Sequence, residues 1–124
     1  MYLLVDNSWS DRVVLHYAKA TAKGQKSLER SAGGLLQAID SFLKEWHLDI
    51  TDLAGMAILV GQGRFTSTRV AVTITNTLAY VQHIPVLAVK EIIDFDWVDT
   101  LKKVTPGNFI SAEYSSEPRV GKKI

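Results

Sequence analysis

Apolar residues follow two rhythms along this chain: short unbroken runs, and longer stretches where they return every third or fourth position. Residues 2–5 form a run that stops at Asp6-Asn7-Ser8, which predicts a buried strand followed by a turn. Residues 12–18 and 20–28 predict two further strands, with a turn near Lys23-Gly24, so the N-terminal part reads as a meander. Residues 31–46 carry the helical rhythm. Leu35, Leu36, Ile39, Phe42, Leu43 and Trp46 share one face there, and Gln37, Asp40, Lys44 and Glu45 take the other. Residues 55–60 are apolar throughout, as suits a central strand covered on both faces.

Residues 67–83 pull in two directions. Val70, Val72, Thr73, Ile74, Thr75 and Thr77 favour a strand by propensity. The stretch is too long for an ordinary strand, however, and Thr66 or Ser67 can cap a helix there, so a helix is expected. Within it, Val70, Ile74, Leu78 and Val81 form one stripe, expected to face the sheet. Arg69, Val72, Thr73, Asn76 and Tyr80 form a second stripe, expected to face outward. Ile84-Pro85 breaks the helix, and residues 86–89 predict the next strand. Residues 91–104 predict a third helix with Ile93, Trp97, Leu101 and Val104 on one face, ended by Thr105-Pro106-Gly107. Three strands, helix, strand, helix, strand describe an α/β fold with a mixed sheet flanked by helices. Residues 1–104 read as one domain, and residues 105–124 as a polar C-terminal tail, free or laid against the body.

Composition limits what such a domain can do. The 124 residues give room for one domain, and 47% hydrophobic with 22% charged residues is ordinary for a globular protein. No apolar run approaches the ~20 residues that span a bilayer, and the start lacks a basic leader, so no membrane association is expected. The absence of cysteine excludes disulfides and thiolate metal sites and fits a cytoplasmic setting. A net charge of +1 offers no field for capturing nucleic acid, although Arg119, Lys122 and Lys123 cluster near the end.

Catalytic chemistry finds little to work with. His16, His47 and His83 lie far apart without paired spacing, so no metal site is expected, and His83 falls where a helix C-terminus favours it. A meander of this kind resembles ribonuclease H, whose two-metal chemistry needs several carboxylates close together. Asp6 ends the first strand in a suitable place. Gly61-Gln62-Gly63 stands where a second carboxylate is wanted, Asp40 lies on the polar face of its helix, and Asp49 and Asp52 flank the wrong end of the next strand. No catalytic residue is assigned. The loop itself leaves two readings open. Gly61, Gly63, Arg64, Thr66 and Ser67 can rim an anion site at a helix N-terminus, or they can make a tight turn that caps a helix. The loop lacks the lysine of a P-loop and the third glycine of a dinucleotide loop.

The stretch DLAGMAILVGQGRFTSTRVAVTITNTLAYVQHIPVLAV, residues 52–89, resembles the TsaB family of tRNA threonylcarbamoyladenosine (t6A) biosynthesis. That family carries a Gly-Pro-Gly-Ser-Phe-Thr-Gly-x-Arg loop, a helix ending in Leu-Ala and a strand beginning Ile-Pro. Gly61, Gly63, Phe65, Thr66, Arg69, Leu78, Ala79, Ile84 and Pro85 match it at the same spacing. Asp6 and Ser8 fit the family's Asp-Thr-Ser, and Ser31, Leu35, Leu36 and Ile39 fit the opening of its first helix. Gln62, Arg64 and Ser67 depart from the loop, Arg30 replaces a histidine, and Gln37-Ala38 interrupts a Leu-Leu-Pro pattern. The resemblance covers about the first 90 residues. The end, AEYSSEPRV, is similar to the family's C-terminal segment, as if a second lobe had been excised.

The resemblance implies a ribonuclease H-like sheet, one lobe of the actin-like ATPase (ASKHA) superfamily. It also implies a non-catalytic partner of TsaD, the related protein that carries the transferase site. Pairing in that family uses the first lobe's two helices, so Gly33, Gly34, Arg69, Val72, Thr73, Asn76 and Tyr80 are the interface candidates. No cofactor is expected, ATP being possible only at an interface with a partner, and tRNA would be met only through the complex. The alternatives are a degenerate single-lobe anion or nucleotide binder and a homodimer that uses the same helix faces.

Overall fold

A computed structural model describes residues 1–20, 22–30, 33–61 and 65–110. Strands β1 (Tyr2–Asp6), β2 (Arg12–Lys19), β3 (Ala22–Glu29), β4 (Gly55–Leu59) and β5 (Val86–Val89) form a five-stranded sheet in the order β3-β2-β1-β4-β5. β1 pairs antiparallel with β2 and parallel with β4, β2 pairs antiparallel with β3, and β4 pairs parallel with β5. Among the described residues, helices α1 (Gly34–Glu45), α2 (Phe65–Gln82) and α3 (Asp96–Lys102) flank the sheet, with a 3-10 turn at Ile50–Asp52. The element order and the mixed sheet agree with the sequence pattern.

Strand alternation builds two cores. Leu3 and Val5 of β1, Val13 and Leu15 of β2, and Met56 and Ile58 of β4 pack against Leu35, Ile39, Phe42 and Leu43 of α1 and against α2. Leu4, Ala57 and Leu59 point the other way and pack against Trp97, Val98 and Leu101 of α3. Since β4 is buried along its whole length, its sequence is apolar without alternation. α3 comes close to β4 at Gly55, where an added Cβ would lie 3.0 Å from Leu101 Cδ2 and 3.1 Å from Tyr2 Cδ1. On the other face the Tyr17 ring packs between Phe42 and Trp46, at centroid distances of 5.4 and 5.1 Å.

Local geometry corrects several sequence expectations. The β2–β3 turn is at Ala20, which has φ +49°, and Lys19 already pairs with Ala22. Lys23 and Gly24 therefore lie within β3. Gly24 stands opposite Tyr17, and a Cβ there would come within 2.8 Å of the tyrosine oxygen. α1 has Gly33 at its N-cap, and residues 31 and 32 of the expected helix lie outside the described residues. Leu36, expected on the buried face of α1, is exposed. α2 begins at Phe65, so Thr66 and Ser67 lie in its first turn and not at the position before it. α3 begins only at Asp96, after Asp94 in the left-handed region at φ +50°, which leaves Ile93 outside the helix and exposed.

Candidate docking face and glycine loop

α2 lies on the sheet by a stripe of mostly small and β-branched residues with one leucine. Thr68, Ala71, Val72, Thr75, Leu78 and Ala79 are buried, at the three- and four-residue steps of one helix face. This corrects the expected phase. Val70 and Val81, expected against the sheet, are 46% and 59% exposed, and Val72, expected outward, is 4% exposed and belongs to the core. Thr68, Ala71, Thr75 and Ala79 alternate with Val72 and Leu78 on the buried face, and Val70, Tyr80 and Val81 are left outside.

The outward face has an unusual chemistry. Arg69, Val70, Thr73, Thr77, Tyr80 and Val81 are exposed, and no charged residue occurs from Val70 to Gln82. A solvated helix face ordinarily carries charges opposite its apolar stripe. The Thr77 hydroxyl donates to the Thr73 carbonyl at 2.8 Å, so it does not need water for a partner. Of the interface candidates, Arg69, Thr73 and Tyr80 share this face and Val72 does not. Gly33 and Gly34 are exposed at the start of α1.

Asn76 is half-buried and already engaged. Its Nδ2 donates to the Ile110 carbonyl at 3.1 Å, and its Oδ1 accepts from the Ile110 N–H at 2.9 Å. Ile110 itself is buried in the α1–α2 core, and the Phe109 ring lies 6.2 Å from that of Tyr80. The start of the expected tail therefore lies against the body, and residues 111–124 are outside the described residues. Val70, Thr77, Val81 and Phe109 were missed as face residues. The uncharged run after Arg69 was the signal that could have found them.

β1, β4 and β5 run parallel, so Asp6, Gly61 and Lys90 sit together at one edge of the sheet, where open α/β sheets gather ligands. Gly61 is exposed with φ +78° and nothing within 4 Å of an added Cβ, so backbone conformation accounts for glycine here. Gly63 and Arg64 of the proposed anion loop, and the side chains of Thr66 and Ser67, lie outside the described part. Asp6 is committed to its own turn. One carboxylate oxygen accepts from the Ser8 N–H at 3.0 Å and from the Ser8 hydroxyl, and the other accepts from Trp9 Nε1 at 3.0 Å. Arg30 ties the same turn down, donating to the carbonyls of Asn7 at 3.2 Å and Trp9 at 2.6 Å, while Arg12 stacks over the Trp9 ring at 4.7 Å. Burial lowers the pKa of half-buried His16, and the Asp6 carboxylate partly offsets this. Among the described residues no three histidines or carboxylates come together as a metal-binding group.

Comparison with known proteins turns on the sequence around these elements. Residues 26–94, more than half of the chain, match the family model described as TsaD, tRNA N6-adenosine threonylcarbamoyltransferase. The chain belongs to this family. Two solved structures from Pseudomonas aeruginosa share the fold: YeaZ, and a protein described as uncharacterized with similarity to peptidase YeaZ. Each is 25% identical with a TM-score of 0.61, over 71% of this chain and 42% of the other. The chain thus spans about two-fifths of the length of these structures. Its sheet and helices are those of an actin-like ATPase (ASKHA) lobe, and its relationship to YeaZ makes it TsaB-like. No curated protein sequence matches it. Among the described residues no helix is long and apolar enough to cross a membrane.

Proposed function

We propose that this chain is a non-catalytic partner subunit in t6A modification of tRNA, docking the outer faces of α1 and α2 on a TsaD-type protein. The observation that carries the reading is the outer face of α2, uncharged from Val70 onward, with Val70, Tyr80 and Val81 exposed and the Thr77 hydroxyl satisfied within the helix. Depletion of charge with an aromatic residue present is the composition of an interface core. Assigning the transferase chemistry to the partner fits Asp6, the carboxylate at the ligand-gathering edge, which spends both oxygens on Ser8 and Trp9.

Light scattering of the chain mixed with a TsaD-type protein tests the reading. A 1:1 complex at micromolar concentration is expected, and Thr73→Glu, which places a charge in the middle of the face, is expected to abolish it while leaving the circular dichroism unchanged. A mixture in which both proteins elute alone sinks the proposal. A stable dimer of this chain alone, disrupted by the same substitution, would assign the face to a second copy instead.

A further inference from the structure

We infer that residues 105–110 form a displaceable strap over the outer face of α2, so that a partner helix can dock there only when the strap lifts. The inference rests on the docking reading above. α3 covers one face of the sheet and α2 the other, so the chain after Lys102 crosses from one layer to the opposite one. It lands on α2 at Asn76 and Tyr80. There Asn76 takes both backbone groups of Ile110 with its side-chain amide, as a neighbouring strand would. The Phe109 ring leans on Tyr80, the apolar anchor of the same face.

Geometry makes the strap and a docked helix exclusive. Packed helices approach to about 8–10 Å between axes, which leaves no space for a third backbone between them. A partner over Asn76 and Tyr80 must therefore replace Phe109 and Ile110. The strap is also built to move. Among the described residues its backbone is tied to the body by two hydrogen bonds to the one half-buried amide, so the buried Ile110 side chain is the single apolar anchor that must be withdrawn. Phe109 remains 46% exposed. The approach is a turn at residues 105–108, in which Asn108 Nδ2 donates to the Thr105 carbonyl at 3.3 Å and Gly107 has φ +105°.

The test uses the full chain, its Phe109→Ala variant and a TsaD-type protein, with amide exchange at Ile110 followed by NMR. Phe109→Ala changes only an exposed ring on the strap, and unchanged circular dichroism confirms that it folds. Loosening the strap raises the docking-competent fraction, so the variant is expected to bind about three- to tenfold more tightly. The Ile110 amide is expected to exchange about tenfold or more faster in the complex than in the free chain. A complex in which Ile110 stays protected and Phe109→Ala binds equally or more weakly overturns the strap while leaving docking intact. If neither chain forms a complex, the docking reading fails and the strap falls with it.

Discussion

Thr75 is fully buried in the middle of α2, and its hydroxyl has no hydrogen-bond partner. A helical threonine usually donates to the carbonyl four residues back, as Thr77 does here. Leaving a buried hydroxyl unpaired costs about 1–3 kcal/mol, and an apolar group of the same shape removes that cost. Thr75→Val is therefore expected to stabilise the fold by about 1 kcal/mol, read as a higher urea midpoint at unchanged slope. His16 makes the opposite kind of contribution. Burial first, against the pull of Asp6, holds its folded pKa below the ordinary value. Its neutral form is thus compatible with the fold, and its contribution is fully present above the unfolded value of about 6.5. As pH falls below that value the unfolded chain binds the proton first, and stability is lost until the lowered folded value is passed. Urea midpoints at several pH values should show wild-type stability falling through this window and His16→Gln falling less steeply. Equal slopes would show that His16 does not supply the dependence.

α2 is where the sequence was hardest to read, and its buried stripe shows why. Its apolar residues are spread round the helix, and the face on the sheet is made of Thr68, Ala71, Val72, Thr75, Leu78 and Ala79. Hydrophobicity alone gave Val70 and Val81 to the core, because valines occur on both faces and the buried threonines and alanines that fix the rotation carry little apolar signal. The length and existence of the helix were legible, and its rotation was not. β4 was the easier case: burial on both faces leaves a run with no phase to misread. The third helix was read too long because nothing in Glu91-Ile92-Ile93 announces the left-handed Asp94 that delays it. The candidate site inherited the error in α2. Arg69, Thr73 and Tyr80 fell on the exposed face, but Val72 did not, and the contact of Asn76 with Ile110 joins residues 34 apart in sequence, beyond any local pattern. Paired substitutions check the rotation. Val72→Ala is expected to cost about 1.5–3 kcal/mol, as for a fully buried valine side chain. Val70→Ala, on the exposed face, should stay within about 0.5 kcal/mol of wild type. Equal losses in chemical denaturation would mean that the helix is rotated away from the orientation described.

At the scale of the molecule, the sheet serves two cores at once, and its middle strands belong to both. Leu3 and Val5 face α1 and α2 while Leu4 between them faces α3, and β4 divides in the same way between Met56 and Ile58 on one side and Ala57 and Leu59 on the other. Neither layer can lose its packing without disturbing strands that hold the other, so the domain should unfold as one unit. Two tryptophans report on the two layers: Trp46 packs beside the α1–α2 core, and Trp97 is buried on the sheet-facing side of α3. Replacing Trp9 and Trp97 by phenylalanine leaves Trp46 as the sole tryptophan, excited selectively over the tyrosines, on the face away from α3. Leu101→Ala then removes a fully buried side chain from the α3 side, a change expected to cost about 2–5 kcal/mol. In a cooperative domain the Trp46 transition in urea moves by that full amount and coincides with the loss of far-ultraviolet circular dichroism. A Trp46 transition that stays in place, while circular dichroism splits into two steps, would show that α3 and its face melt independently. The strap would then join two units of unequal stability, and its release could follow local melting of α3 as readily as arrival of a partner.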